Sequence, residues 1–155
     1  MSIHVFALLI GIVAGLRAMT ATAVVSWAAH LGWLQLENTP LAYLGSGFLP
    51  YFFTLLAIAE LIADKLSKTP SRKELLPFIT RIVSGALCGA ALGAQHDALT
   101  GGLVAGTIGS VIGTLGGYAV RVRLAAANGG KDRPIAFLED AIAIGGAILV
   151  AAAAT

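Results

Sequence analysis

The chain has 155 residues, 57% of them hydrophobic and only 12% Asp, Glu, Lys or Arg, with a net charge of +2 and a mean hydropathy of +0.87. That is about half the usual charged fraction, too little to keep a soluble domain dispersed, so the composition argues for an integral membrane protein built as one domain over 1–155. The small net charge gives no grip on nucleic acid, and the lone Cys88 excludes an intramolecular disulfide.

Five runs are apolar over the roughly 20 residues that a helical crossing needs. The first, 5–27, follows a start without the basic residues of a secretory signal and is too long for a signal's apolar core. It holds Gly11, Gly15 and then Arg17, with Thr20 and Thr22 beyond it as hydroxyl donors or as packing residues. The second, 41–65, contains Pro50, which is expected to kink or break it. Near its end, in "AELIADK", Glu60 and Asp64 stand four apart and share one helix face. The third, 77–94, carries Arg81 and Cys88 and is preceded by "SRKE", Ser71–Glu74, which has the form of a capping box. The link "AQHDA" is so short that the third run and the fourth, 99–120, are expected as antiparallel neighbours. A turn at Asn128–Gly130, with Asp132 as cap and Pro134 in the first turn, leads to the fifth, 135–153. There Glu139 and Asp140 are adjacent. No run alternates like a membrane strand. The expected fold is all-α, a membrane bundle of about five transmembrane helices.

Glycines recur every three or four residues: Gly85, Gly89 and Gly93 in the third run, and Gly102, Gly106, Gly109, Gly113, Gly116 and Gly117 in the fourth. Small residues at this spacing form grooves that let helix backbones approach closely. The spacing is expected to join the third and fourth runs, although it does not say whether the partner lies in the same chain. No Lys-Ser/Thr pair follows, so this is not a phosphate loop.

Of the ten Lys and Arg, the nine other than Arg17 lie at or near the 65–81 and 121–133 connections. The positive-inside rule then puts the N-terminus in the cytoplasm and the C-terminus outside, with Trp27 and Trp33 in an outer aromatic belt. In that frame Glu60, Asp64, Glu139, Asp140, Arg17 and Arg81 converge in the inner half of the membrane. Four acids against two arginines leave an excess of two negative charges. Ionised groups there are costly, and their default reading is functional.

The segments "GIVAGLRAMTATAVVSWA", "AELIADKLSKTPSR", "RIVSGALCGAALGA" and "LEDAIAIGG" together resemble the bacterial membrane-protein family called domain of unknown function 4126, over nearly the whole chain. The resemblance implies a small multi-pass protein of the inner membrane and brings no activity with it. "ELIADK" is also similar to the Glu-x-Gly-Asp-Lys-Thr motif of a calcium and manganese transporter family. Here Ala63 replaces the glycine, the acids are four apart rather than three, and Leu66 replaces the threonine.

These observations point first to a transporter or channel for a small cation or protons. Glu60, Asp64, Glu139 and Asp140 would be ion carriers, with Glu60, Asp64 and Glu139 the candidate metal ligands, since hard oxygens suit a divalent ion. Arg17 and Arg81 would pair with them and tune them. The alternative is a structural or assembly protein whose charges pair internally. A third reading is a carrier of lipid or an anionic metabolite, with the two arginines on the head group. Enzymatic function is not expected, because no nucleophile–base pair or His-rich set is present; His4, His30 and His96 lie near ends or connections. No organic cofactor is implied. The partners expected are the bilayer, a small cation or proton and further copies of the chain, because five spans leave little room for a private pathway.

Overall fold

The computed structural model describes residues 3–34, 36, 41–45, 47–66, 75–127, 129 and 133–153. Outside the described residues lie the side chain of Asp64, the capping box read at Ser71–Glu74 and the cap read at Asp132. Within them the chain is all-α, with six α-helices and no strand. They are α1 (Ile3–Leu16), α2 (Ala18–His30), α3 (Leu49–Leu66), α4 (Leu75–Ala94), α5 (Leu99–Ala127) and α6 (Arg133–Ala153), with a 3-10 turn at Ala42–Gly45 before α3.

Contacts between glycines set the directions. Gly11 faces Gly106, and Gly15 faces Ser110, Gly113 and Thr114, so α1 and α5 lie parallel. Along α4, Gly93, Gly89 and Gly85 face Ala98, Gly102 and Gly106 in turn, so α4 runs against α5, as the short link requires. Yet α2 runs with α4. Ala18 O accepts from Ser84 Oγ at 2.7 Å, and one turn further along both helices Cys88 Sγ lies 3.8 Å from Thr22 Oγ1.

Thus α1 and α2 point in opposite senses. Arg17 alone joins them, extended at φ −146° and ψ 100°. The run expected as a single span over 5–27 is a helical hairpin, with arms about 20 Å long at 1.5 Å per residue. After it, α3 returns against α2, with Met19 near Glu60 and Trp27 near Thr54. Helix α6 runs against α1, with Asp140 on Arg17 and Gly146 beside Val13.

The six helices therefore alternate in direction. Ile3, the α2–α3 link, the α4–α5 turn and Ala153 share one end. Five unbroken spans would put the chain ends at opposite ends of the bundle; the described ends Ile3 and Ala153 share one end because the turn at Arg17 adds one reversal that an unbroken first helix lacks.

Helix ends follow local chemistry. Gly32, at φ 86°, closes α2 with its own N–H on Ala29 O and that of Trp33 on Ala28 O, the paired bonds of a Schellman motif. The same pair closes α4 at Asp97, at φ 56°, with bonds from Asp97 to Ala94 O and from Ala98 to Gly93 O. Pro50 sits in the first turn of α3, where no N–H is needed, so it starts a helix and does not kink one. Of the turn read at Asn128–Gly130, Gly129 is described, at φ 71°.

Polarity is inverted relative to a water-soluble fold. Arg17, Ser26, Ser110 and Thr114 are fully buried, while Leu149 and Phe48 are 71% and 70% exposed amid rows of exposed Ile, Val and Leu on every long helix. The core between is made largely of alanine, as along α6 at Ala143, Ala147 and Ala151. Among the described residues one stretch, Leu99–Leu124, is long and apolar enough to cross a membrane; Ile3–Leu16, Leu49–Glu60 and Phe78–Ala94 are apolar but shorter.

Candidate functional site

The hairpin tip exposes two helix ends inside the bundle. The last carbonyls of α1 and the first N–H groups of α2 lose their helical partners there. A helix end also carries about half a charge, negative at the carboxyl end and positive at the amino end. Both ends meet groups of opposite sign. Arg81 Nη1 donates to Gly15 O at 2.6 Å and to Leu16 O at 2.9 Å. Arg17 Nη1 reaches Leu16 O at 3.3 Å, and Thr114 Oγ1 donates to Gly15 O at 3.3 Å. On the α2 side, Met19 N donates to Glu60 Oε1 at 3.3 Å. Glu60 is thus a cap supplied from another helix, since Arg17 at the cap position offers no side-chain bond of its own.

Arg17 itself is 0% exposed. Its Nε donates to Asp140 Oδ1 at 2.7 Å, within the range of a charge-assisted bond. Its Nη1 is 3.4 Å from Glu139 Oε1, a looser contact. Glu139 Oε2 lies 3.7 Å from Arg121 Nη1. Adjacent positions on a helix differ by about 100°, yet Glu139 and Asp140 both reach Arg17, because its Nε and Nη1 face different directions. Beside the tip, Ser84 Oγ and Thr22 Oγ1 bond each other at 2.5 Å, and Thr22 also bonds Ala18 O at 3.0 Å. Thr20 Oγ1 is buried without a hydrogen-bond partner among the described residues.

Of the residues singled out by sequence, Arg17, Arg81, Glu60, Glu139 and Asp140 meet around this tip. The described residues contain no group of three acids, histidines or cysteines placed to share a metal. Glu60 lies at the α2 end and Glu139 between Arg17 and Arg121, while the side chain of Asp64, third in the proposed metal set, is outside the described residues. His4 lies over Gly101 and His30 Nδ1 is 3.0 Å from Gly45 O, both at the arginine-free end.

Residues 5–154 match the family described as Domain of unknown function (DUF4126). The chain belongs to this family. No characterised protein and no solved structure matches it. The family description gives this DUF4126 chain no activity.

Two features of the site are not read from the sequence, Arg121 and the turn at Arg17. Arg121 was assigned to a connection, but α5 runs 29 residues and carries it into the cluster. The signal was present: Val120, Val122 and Leu124 flank Arg121 and Arg123, and an apolar frame of that kind continues a helix. The turn at Arg17 had no such signal, for neither Pro nor Gly stands at the break. Arg17 faces Glu139 and Asp140, Arg121 faces Glu139, and Arg81 binds the α1 carbonyls; among the described side chains of the site three arginines stand with three carboxylates, so the excess of negative charge expected from Glu60, Asp64, Glu139 and Asp140 is not seen there.

Proposed function

We propose that the chain is a small inner-membrane protein that moves protons, or a small cation, past the charged tip of the α1–α2 hairpin. In this reading α3, α4, α5 and α6 cross the bilayer, and the hairpin enters and leaves by one face. Its arms, about 20 Å each, are shorter than the roughly 30 Å hydrocarbon core. The inverted polarity supports the membrane setting. So does the aromatic cluster of Trp27, Tyr51 and Phe48 at the arginine-free end, where Trp27 Nε1 bonds Thr54 Oγ1 at 2.6 Å, as expected of an interfacial belt. The basic connections then face the cytoplasm, and both described ends, Ile3 and Ala153, face outside.

The observation that carries the functional reading is the interrupted helix. Non-helical backbone at membrane depth persists only where it is buried in protein or lines a pathway, and half-helix ends of this kind serve substrates in transporters. Protonation of Asp140 would remove the charge that holds Arg17 Nε, freeing the residue on which the hairpin turns. A proton asks less of this site than a divalent metal, which needs Asp64 as a third ligand. The glycine stripes from Gly85 to Gly93 and from Gly102 to Gly113 are occupied within the chain, so they supply no argument for further copies.

The test is flux. Proteoliposomes holding the wild-type chain should dissipate an imposed pH gradient faster than empty vesicles, and Glu60→Gln and Asp140→Asn should slow them. Wild-type vesicles as tight as empty ones against protons and a panel of cations would overturn the proposal. The balance of three arginines with three carboxylates favours the second reading, a structural network. On that reading the same variants lose stability with no flux to lose.

A further inference from the structure

We propose that the cleft between α5 and α6 holds one acyl chain of an anionic phospholipid, with its headgroup on Arg121; this rests on the membrane setting above, not on transport. Helix α5 packs broadly on α1 and α4 but only narrowly on α6. Between them lies a cavity of about 340 Å³. Its walls are apolar, among them Ile112, Leu124, Leu138 and Ile142, and among the described residues its charged lining groups are Arg121 and Glu139.

The dimensions suit a chain. Ile112 to Leu124 spans about 18 Å of helix axis at 1.5 Å per residue, close to one leaflet of the roughly 30 Å core. Spread over that length, the volume leaves a channel narrower than a helix of 10–12 Å. The floor includes Gly116, and a Cβ there would meet nothing within 4 Å. Among the described residues no neighbour requires a glycine at that position, whereas Gly113 is held against Ile12.

Charge and direction agree. Arg121 stands at the basic end of the cleft with exposed Arg123 two residues on. A headgroup there places the acyl chain running toward Ile112, away from the basic surface, as a lipid of that leaflet must lie. Glu139 opposes an anion, but Arg17 and Arg121 already bracket it at 3.4 and 3.7 Å. Basic residues at this surface favour anionic lipid by about 1 kcal/mol each, roughly fivefold.

Native mass spectrometry of protein taken from vesicles of equal phosphatidylglycerol and phosphatidylcholine tests this. The wild-type chain should retain one phospholipid, with phosphatidylglycerol preferred about fivefold. Gly116→Leu, whose Cβ has open space and whose bulk takes volume from the cleft, should cut retention at least fivefold. Gly145→Leu, on α6 and equally open, should not. Arg121→Gln should keep the lipid and lose the preference. Retention unchanged in Gly116→Leu, or no retained lipid in the folded wild-type chain, overturns the proposal. A chain that does not insert into vesicles at all overturns the membrane reading instead.

Discussion

At the scale of single residues, the buried ion pair of Arg17 and Asp140 dominates. Breaking a buried pair leaves a charge without its counter-ion and costs about 3–5 kcal/mol. Arg17→Gln should lower the thermal midpoint in detergent accordingly, while Arg17→Gln with Asp140→Asn should recover part of the loss through a coupling of about 0.5–3 kcal/mol. Strict additivity of the two substitutions would show that the pair is not coupled in the folded protein. Glu60 separates structure from transport more cleanly. Its carboxylate accepts from Met19 N, and the amide oxygen of Gln can do the same. Glu60→Gln should therefore cost only the charge–dipole part, about 0.3–1 kcal/mol, against about 1–2 kcal/mol for Glu60→Ala, which removes the cap. Denaturation curves measure this, and equal losses for Gln and Ala would remove Glu60 from the capping role.

At the scale of elements, three helices share one glycine seam. Gly106 lies against α1 at Gly11 and against α4 at Gly85 and Gly89; the bare Cα of Gly11 admits one neighbour and the bare Cα of Gly106 the other. A Cβ on Gly106 meets the α4 backbone at Gly85 and Gly89, and backbone cannot rotate away. Gly106→Ala should destabilise by at least the 1–3 kcal/mol typical of overpacking, while Gly116→Ala, in open space, should change little. Similar midpoints for the two would mean that the seam is looser than described. The periodicity of these glycines made the α4–α5 hairpin legible, because spacing by three or four has few other uses in an apolar helix. That α1 joins the seam in parallel was not legible, since Gly11 and Gly15 carry no mark of direction. Asp97 offers a gain. Its left-handed φ of 56° suits glycine better, and Asp97→Gly should add about 0.5–1 kcal/mol of stability, read from the same curves.

At the scale of the molecule, the alternation of six helices fixes which ends face together. In a Cys88→Ala background, His4→Cys and Asp97→Cys should react with a membrane-impermeant thiol reagent from one side of sealed vesicles, and Arg123→Cys from the other. Labelling of His4→Cys and Arg123→Cys from the same side would restore an unbroken first span. The gathering of Arg17, Arg81, Glu60, Glu139 and Asp140 could be read from sequence because each is costly in an apolar run and must find company. The turn at Arg17 could not be read, because what satisfies it comes from Glu60 and Arg81, far along the chain, and no local residue announces it. The same fact bears on biogenesis. Within the bundle the hairpin is synthesised before the other helices, and Glu60, Arg81 and Asp140, which cap or neutralise its tip, come later, Asp140 last of these. In the proposed membrane setting residues 3–30 would wait at the translocation machinery or in the headgroup layer, and lock into place only when α6 arrives.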